Sequence, residues 1–359
     1  MWDRRTFMRA AGAGFAAGLL PAGAEALERA EAIIASACLK PDGKFGVVLM
    51  SETGRIISAL DLPDRGHDVT QCLATGRLVA FARQPGTFAV VLSRQGEGLA
   101  TIASAPGRHF YGHGVFSPDG RLLYATENDF DNAAGIVGVY DATDGFHRVG
   151  EFASGGVGPH DLLLSADGRY LCVANGGIQT HPDFGRTKLN LSSMQPNLAW
   201  IDRDNGTVIA VQGLPDVLHQ LSLRHLAAGR DERIWVGAQY EGPQDQIVPL
   251  VGAASPEDGF AFAHLPDPVT VQLANYVASI AALPGGGEIA VTSPIGNIAV
   301  ILDETGRLLS VKALKNVSGV AGTRAGFALS TGDGVFRANQ QAAAVMPGVE
   351  FDNHLFLAG

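Results

Sequence analysis

Five histidines recur along the chain, each near the start of an apolar segment. His67, His113 and His160 follow one another at intervals of 46 and 47 residues, and His219 and His354 come later. If these segments lie side by side around an axis, their side chains could converge. Imidazole nitrogens beside a carboxylate form binding sites for iron, copper or zinc. The sequence therefore predicts a metal site, with iron or copper as candidate metals and with the candidate ligands His67, His113, His160, His219, His354 and Asp161.

The spacing of the same histidines also supports a structural role. His113 lies seven residues before the next turn glycine, whereas His160 lies eight residues before its own. Because strand side chains alternate between faces, a difference of one residue reverses the side chain's direction unless a bulge absorbs it. The intervals also match no compact metal motif such as His-Glu-x-x-His. The alternative is that these histidines hold repeats together, a structural role that we also assign to His109 and His225.

A second set of polar side chains lies in the loops between apolar segments. Loops held by a rigid scaffold often carry binding residues. The longest irregular stretch is 175–197, which is either a ligand-binding loop or a packing flap. The candidate ligand-binding residues in these loops are Arg83, Glu127, Asn128, Asp129, Asn175, His181, Gln239 and Glu241.

Short apolar segments that end at turn residues make up most of the chain. Asp119-Gly120 separates two apolar runs, and Asp167-Gly168 does so again about one repeat later. Asp-Gly between apolar runs is a strong signal for a hairpin, because glycine accepts a positive φ. No long helical period interrupts the segments, which disfavours alternating strands and helices. Each repeat is therefore expected to form four antiparallel strands, as in a β-propeller blade.

The number of repeats predicts the fold class. Seven repeats of about 48 residues fit between residue 25 and the end of the sequence. Residues 33–62 offer three strands and residues 351–357 offer one, which together would complete a last blade and remove open sheet edges. We predict an all-β, seven-bladed β-propeller of four-stranded antiparallel blades. It forms a single domain over 33–359 and is closed by pairing of the N- and C-terminal strands.

The first 24 residues have the features of an export signal. Arg4-Arg5 lies in a segment that resembles the twin-arginine motif, a mildly apolar stretch follows, and Ala22-Gly23-Ala24 fits a cleavage site. The alternative is an ordinary N-terminal helix. We expect residues 1–24 to be a twin-arginine signal peptide and residues 25–32 a lead-in segment. The protein would then be exported in its folded state by the twin-arginine translocase to the periplasm.

Composition excludes several classes of function. A net charge of −10 disfavours nucleic acid and anionic membranes as partners. No apolar run reaches the roughly 18 residues that span a bilayer. No nucleophile elbow, phosphate loop or dinucleotide fingerprint is present in the sequence. Cys38, Cys72 and Cys172 are interpreted as small buried hydrophobic residues, with a Cys38–Cys72 disulfide as the alternative.

Segments throughout the chain resemble a known protein family. They are Phe81–Phe88, Arg108–Gly114, Gly158–Asp161, Val173–Ile178, Met194–Leu198, Leu221–Leu226, Val291–Pro294 and Asp352–His354. Through them the chain is similar to a family of Tat-exported bacterial proteins that contain a domain of unknown function, a seven-bladed, WD-repeat-like propeller. The resemblance implies a periplasmic role near iron or haem handling and an imelysin-like iron-uptake protein as partner, because family members are often encoded beside such proteins. It does not identify the ligand.

These observations lead to two principal hypotheses of function. The first is a non-catalytic periplasmic propeller that binds a metal, a haem-like ligand or a partner protein in iron acquisition. The alternative is a metal-dependent enzyme of the lactonase or oxidoreductase type that uses the same face. An enzyme would need carboxylates around a metal position that stays open to substrate. A purely structural interaction module is the third possibility.

Overall fold

Strands form nearly all the regular structure of the residues that are described. The computed structural model describes residues 30, 32–230, 232–339 and 341–358. The signal peptide predicted over 1–24 lies outside the described residues, as does most of the lead-in segment 25–32. Among the residues described, no helix has the length and apolar character needed to cross a membrane.

The described strands are numbered here in chain order. They are β1 (Ile33–Leu39), β2 (Phe45–Ser51), β3 (Ile56–Asp61), β4 (Gly66–Gln71), β5 (Leu78–Ala82), β6 (Phe88–Leu92), β7 (Gly98–Ala103), β8 (Arg108–Phe116), β9 (Leu122–Asp129), β10 (Ala134–Asp141), β11 (His147–Ala153), β12 (Pro159–Leu164), β13 (Tyr170–Asn175), β14 (Asn197–Asp202), β15 (Val208–Gly213), β16 (Leu221–Ala228), β17 (Ile234–Tyr240), β18 (Val251–Ser255), β19 (Gly259–Phe262), β20 (Ser279–Ala282), β21 (Glu288–Ser293), β22 (Ile298–Asp303), β23 (Leu308–Ala313), β24 (Val317–Thr323), β25 (Gly326–Thr331), β26 (Val335–Ala338), β27 (Ala344–Val345), β28 (Glu350–Phe351) and β29 (Phe356–Ala358). In the described part of the chain, one α-helix, α1 (Asp267–Gln272), and three short 3₁₀ helices, Pro182–Phe184, Leu191–Ser193 and Asp216–Leu218, lie in the connections.

The strands form seven antiparallel sheets, which are the blades of a β-propeller. Blades 1 to 6 each use four consecutive strands: β4–β7, β8–β11, β12–β15, β16–β19, β20–β23 and β24–β27. Blade 7 joins the two ends of the chain, with β28 and β29 pairing on one side of β1 and β2–β3 following on the other. The innermost strands of neighbouring blades contact each other around the ring. The predicted fold, including its closure, is confirmed.

Burial on both faces explains why apolar and polar residues alternate so weakly along most strands. The second and third strands of a blade pack between two neighbouring sheets, so β5 and β6 are buried at every residue. Outermost strands have one face in solvent and alternate, as β11 does along its whole length. Continuous apolar runs are typical of strands covered on both faces. The hydrophobic core therefore lies between blades rather than inside one sheet.

A repeated turn links the first and second strands of blades 2 and 3. In blade 2, the Ser117 hydroxyl donates to Asp119 Oδ1 at 2.5 Å, and the Gly120 amide donates to the Ser117 carbonyl at 2.8 Å. Gly120 has a φ of 71°, which a residue with a Cβ adopts only with strain. Ser165 and Asp167 make the same side-chain hydrogen bond in blade 3. The predicted Asp-Gly hairpins thus set the start of each second strand.

Ring closure depends on residues that follow blade 6. Cys38 of β1 pairs with Phe351 of β28, and Ile34 pairs with Leu357 of β29. Between those two pairings, the Ser36 hydroxyl donates to the carbonyl of His354 at 2.8 Å. An unpaired β1 would expose an apolar edge, which the C-terminal strands cover.

All three cysteines are buried and unpaired. Cys38 and Cys72 belong to different hydrophobic clusters, so the structure contains no Cys38–Cys72 disulfide. Burial raises the pKa of the Cys38 thiol to about 12, despite the opposing effect of Lys40, and burial also raises the pKa of Cys172. Both thiols therefore remain protonated and contribute to packing.

Candidate metal centre

Five histidine side chains meet at the propeller axis, and we call them the histidine cluster. Four come from the innermost strands of blades 1 to 4, and the fifth lies between β28 and β29. Their ring centroids are 4.6 to 5.9 Å apart in every contacting pair. The members are His67 of β4, His113 of β8, His160 of β12, His225 of β16 and His354, all no more than 8% exposed.

Irregular pairing in the innermost strands directs these side chains inward. The register of each innermost strand with its neighbour shifts beside the histidine in β4, β8, β12 and β16. His113 and His160 both immediately precede the residue where regular pairing resumes, Gly114 and Asp161 respectively. A bulge leaves a residue unpaired and re-aims its side chain. The one-residue difference in spacing to the turn is therefore absorbed.

The close packing of the rings also requires a glycine in β8. Gly112 has a φ of 113°, and a Cβ at this position would lie 2.6 Å from Cδ2 of His67. That distance is shorter than the van der Waals contact of two non-bonded carbon atoms. Only glycine at this position therefore lets β8 approach the ring of His67.

Several nitrogens of the histidine cluster have no hydrogen-bond partner despite being buried. They are Nε2 of His113, His160 and His354, and both ring nitrogens of His225. Nitrogens of His67, His113 and His354 lie within 4.8 Å of one another, as do nitrogens of His113, His160 and His225. Buried polar atoms are normally paired, so an unpaired group requires an explanation. Both triads have the donor type and spacing to hold one metal ion.

Carboxylates contact the outer nitrogens of two of these rings. His67 Nδ1 donates to Asp352 Oδ1 at 2.9 Å. His113 Nδ1 lies 3.3 Å from both Asp68 and Asp161. Metal-binding histidines usually contact a carboxylate through the nitrogen that does not bind the metal, which fixes the tautomer. The contacts at Nδ1 therefore leave Nε2 of His113 available at the centre of the cluster.

The carboxylate of Asp352 is itself held by two arginines. Arg65 Nε donates to it at 2.7 Å, and Arg83 Nη1 donates to its two oxygens at 3.0 and 3.1 Å. Burial alone would raise the pKa of Asp352, but the hydrogen bond from His67 and the arginine charges hold it well below its usual range. Asp352 therefore stays ionised, although it is only 3% exposed.

Burial keeps four of the five imidazoles neutral. It lowers the pKa of His67 to about 4, despite the favourable contact with Asp352. It also lowers the pKa values of His160, His225 and His354 well below the usual value, with the neighbouring rings adding to the effect. A neutral imidazole is the form that binds a metal.

His113 is the exception among the five. Although burial lowers its pKa, the charges of Asp161, Asp68 and Asp352 raise it overall. Burial in turn raises the pKa of Asp161 to about 6. Asp161 also accepts a backbone hydrogen bond from Leu162 at 2.8 Å within β12. A second backbone hydrogen bond, from Leu226 at 2.9 Å, joins β12 to β16. Its two oxygens thus position the strands as well as face His113.

A cavity of about 170 Å³ extends from the histidine cluster toward the 175–197 insertion. His67, His160 and His225 line one part of it. We call the remaining part the basic vestibule, and its polar lining includes Arg83, Tyr111, Arg186, Lys188, Arg224, Gln239 and Glu241.

The insertion 175–197 crosses the propeller face above the cluster. Thr180 accepts a hydrogen bond from Gln84 of blade 1 at 2.8 Å through its hydroxyl, and one from Asn128 of blade 2 at 3.2 Å through its carbonyl. On the other side, Lys188 forms an ion pair with Glu241 of blade 4. These contacts fix the insertion over the axis and carry Arg186 and Lys188 into the vestibule.

The predicted ligand-binding residues separate into two groups. Arg83, Gln239 and Glu241 line the vestibule. Glu127 instead accepts hydrogen bonds from Tyr140 at 2.6 Å and Arg148 at 2.9 Å, within blade 2.

The other four members of the predicted set also make internal contacts. Asn128 donates to His109, and Asp129 pairs with Arg108 at 2.8 Å. Asn175 bonds Ser154 and Asn197, and His181 caps the 3₁₀ helix Pro182–Phe184. These polar groups fold and anchor loops; they do not line the cavity.

The fourth ring of the histidine cluster comes from His225 and not from His219, the residue that spacing had indicated. His219 follows the 3₁₀ helix Asp216–Leu218, its Nδ1 lies 2.9 Å from the carbonyl of Asp216, and it takes no part in the histidine cluster. His225, which we had assigned a structural role, lies in the cluster beside the bulge of β16. The connection that contains the 3₁₀ helix lengthens blade 3, so the repeat interval misplaced the fourth histidine. Aligning the repeats on their buried second strands, with β17 as the strand of blade 4, would have indicated His225, because this residue pairs with Gly237 of β17.

Comparison with known proteins identifies the family. Residues 60–358 match the model of a family described as a protein of unknown function, DUF1513. The chain belongs to this family. Comparison with curated proteins finds none that matches.

The fold of this DUF1513 member is shared with other solved propellers. The hydrazine synthase of Kuenenia stuttgartiensis aligns with a TM-score of 0.61 at 14% identity, over 87% of this chain and 94% of that one. The Cps50 (Swd1) β-propeller domain of Myceliophteria thermophila aligns with a TM-score of 0.58 at 14% identity, over 82% and 93%. At such identities the likeness shows the fold alone.

Proposed function

We propose that this member of the DUF1513 family is a non-catalytic metal-binding propeller whose histidine cluster holds one ion of iron or copper. The observation that carries the proposal is the set of buried imidazole nitrogens without hydrogen-bond partners. Imidazole suits iron, copper, zinc and nickel, whereas magnesium and calcium prefer oxygen ligands. A transition metal ion would pair these nitrogens and account for their convergence.

The alternative role, in which histidines lock blades together, fits the geometry less well. A locking histidine would hydrogen-bond the neighbouring blade through its ring. Neither ring nitrogen of His225 has a partner, and the ring packs against His160 and His354 at centroid distances of 4.7 and 4.8 Å. Buried groups of this kind cost stability unless something binds them. A ligand therefore explains the cluster better than a packing role does.

The size of the cavity favours an ion over haem. Pockets for drug-sized ligands usually enclose about 300–1,000 Å³. The cavity here measures about 170 Å³, and the insertion covers it. A metal ion with a few small ligand groups fits that space, whereas a tetrapyrrole exceeds it.

The enzyme alternative loses part of its support in the same geometry. It needs carboxylates around an open metal position. Glu127 and Asp129 are paired with Arg148 and Arg108 instead. Asp161 does contact the histidine cluster, with Oδ1 at 3.3 Å from His113 Nδ1. A binding role is therefore the function that we favour.

We also propose that the protein is exported folded by the twin-arginine route and acts in the periplasm beside an imelysin-like iron-uptake protein. The sequence motif at Arg4-Arg5 and the family resemblance support this proposal. Replacement of both arginines by lysine should retain the full chain in the cytoplasm, which cell fractionation measures. Equal periplasmic amounts of the two forms would count against twin-arginine export.

Direct titration tests the metal proposal. Chelator-treated protein should bind one equivalent of Cu²⁺ or, without oxygen, Fe²⁺ at micromolar or lower concentration, measured by calorimetry and elemental analysis. The His113→Ala, His160→Ala double variant should lose about 100-fold or more in affinity, since both metal triads share His113. Absence of binding by the native protein would refute the proposal.

Two further variants make that titration specific. His225→Ala removes a ring that makes no hydrogen bond, so a loss of metal affinity cannot come from a broken hydrogen bond. His219→Ala removes a half-buried histidine outside the cluster and should bind metal as the native protein does. Equal affinity for all of these variants would place the metal elsewhere. Circular dichroism confirms that each variant is folded.

A further inference from the structure

We propose that the basic vestibule binds a small polycarboxylate, and that one of its carboxylate oxygens completes the coordination of the metal. The second half of this statement rests on the proposed function, whereas anion binding stands without it. The proposal is carried by an excess of cationic side chains, by buried donors that lack partners, and by the position of the vestibule next to the histidine cluster.

The charge of the vestibule is opposite to that of the protein. Its lining includes Arg83, Arg186, Lys188 and Arg224 but one carboxylate, Glu241. The chain as a whole carries a net charge of −10. A covered cleft lined by one sign of charge focuses the field and concentrates counter-ions of the other sign. The vestibule therefore attracts anions that the rest of the surface repels.

The carboxylates near the vestibule do not neutralise these cations. Lys188 and Arg224 share Glu241, with Arg224 Nη2 at 3.4 Å from it. Arg83 is directed to Asp352, which Arg65 and His67 also contact.

Arg186 completes the charge excess, because it forms no ion pair with any carboxylate in the described part of the chain. Burial lowers its pKa, and the nearby charges of Arg83, Arg224 and Arg65 lower it further. Such a group of like charges is stabilised when an anion binds among them.

A second observation points to a ligand at the same place. Tyr111 lines the cavity with a side chain that is 3% exposed, and its hydroxyl interacts with Thr180 but has no partner in good hydrogen-bond geometry. Nε of Arg224 is likewise buried without a partner. A phenol is a hydrogen-bond donor at neutral pH. An anion in the vestibule would accept hydrogen bonds from both the Tyr111 hydroxyl and Arg224 Nε.

The arrangement of the cations favours a polycarboxylate. The planar guanidinium group binds a carboxylate or phosphate through two parallel hydrogen bonds. Arg83 belongs to blade 1, Arg224 to blade 4 and Arg186 to the insertion, so the cations approach from three sides. A molecule with two or three carboxylates can meet all three sides, whereas one tetrahedral ion meets fewer. Carboxylate oxygens also bind iron and copper together with imidazole.

Calorimetry on metal-free protein tests anion binding separately from metal binding. Citrate is the polycarboxylate probe, with acetate and inorganic phosphate as comparison probes. We expect citrate to bind at least ten-fold more tightly than either of them. Arg186→Gln should lower the affinity for citrate at least ten-fold, because it removes a cation that has no carboxylate partner. Tyr111→Phe should lower the affinity about three-fold, because it removes a buried hydrogen-bond donor. Arg307→Gln, an exposed change in blade 5, is the control and should have no effect.

The outcomes separate this proposal from the metal proposal. Metal binding without citrate binding overturns the vestibule proposal alone, and citrate binding without metal binding overturns the metal proposal and the coordination step. Phosphate binding as tight as citrate would refute the polycarboxylate assignment. With both ligands, citrate should raise metal affinity about ten-fold, and the metal should raise citrate affinity by the same factor. Independent binding of the two would refute shared coordination.

Discussion

A chain that lacks residues 350–359 should fail to form a stable ring at 25 °C. The deletion uncovers the inner edge of β1 and removes the buried side chains of Phe351 and Leu355, worth about 2 kcal/mol each. It also removes Asp352 and leaves the arginines that contact it without their carboxylate, which costs roughly 3–5 kcal/mol. The sum, about 8 kcal/mol, is comparable to the 5–15 kcal/mol that typically stabilises a protein.

Thermal unfolding followed by circular dichroism measures this effect. The single change Asp352→Asn separates the electrostatic part from strand pairing and should cost roughly 3 kcal/mol while the ring stays closed. A truncated protein with the melting temperature of the full chain would contradict closure by β28 and β29. Full destabilisation by Asp352→Asn alone would assign the effect to the carboxylate and not to the strands.

Acid should unfold the metal-free protein unusually steeply. His67, His160, His225 and His354 are neutral in the folded state because burial lowers their pKa values, whereas unfolded histidines take up protons near pH 6.5. Below pH 6.5 the unfolded state therefore binds more protons than the folded state. The free energy of unfolding consequently decreases as the pH is lowered.

Groups that bind protons in the folded state reduce this slope. Asp161, whose pKa burial raises to about 6, is protonated in the folded state between pH 6 and 4 and offsets about one of the four protons. His113, with a raised pKa, is protonated in both states near pH 5. Near pH 5 about three protons remain from the histidine cluster, which corresponds to roughly 4 kcal/mol per pH unit, and His109, whose pKa burial also lowers, adds to this dependence. We expect the protein to be folded at pH 7 and largely unfolded between pH 5 and 4.

Urea unfolding at pH 7, 6 and 5 checks the prediction. His225→Leu removes one of the imidazoles that must stay neutral, so the dependence on pH should decrease by about one proton. His219→Leu lies outside the cluster and should leave the slope unchanged. Equal stability of the native protein at pH 7 and pH 5 would contradict the neutrality of the buried rings.

The fold was predictable from the sequence because its signals are local. The hairpin at Asp119-Gly120 follows from turn chemistry, and the apolar strands beside it follow from burial between sheets. Closure was predictable by counting, since three N-terminal strands lacked an inner partner, but the one closing strand predicted over 351–357 is in fact two short strands, β28 and β29. Each of these inferences needs only a short segment or a repeat interval.

The site was less predictable because it depends on tertiary detail. The repeat interval led to His219, but that residue follows a 3₁₀ helix outside the histidine cluster, and the residue that reaches the axis is His225 beside the bulge of β16. Bulges arise from strand pairing and have no strong signal in one sequence. Glu127 was expected in a binding loop, but it lies within β9, and its carboxylate pairs with Arg148, which is 21 residues away.

The candidate site is completed last, when the C-terminal strands β28 and β29 pair with β1 and close blade 7; we call this pairing the seam. Asp352 and His354 belong to a segment that is synthesised after all six other blades, and they reach the axis only when that segment docks on β1. A nascent or partly opened ring lacks one imidazole and the carboxylate that orients another. An ion would thus bind fully only to molecules whose ring is closed. By mass action, the bound ion would also stabilise the closed seam. Separation of that single seam would be enough to release the ion, with six blades left intact.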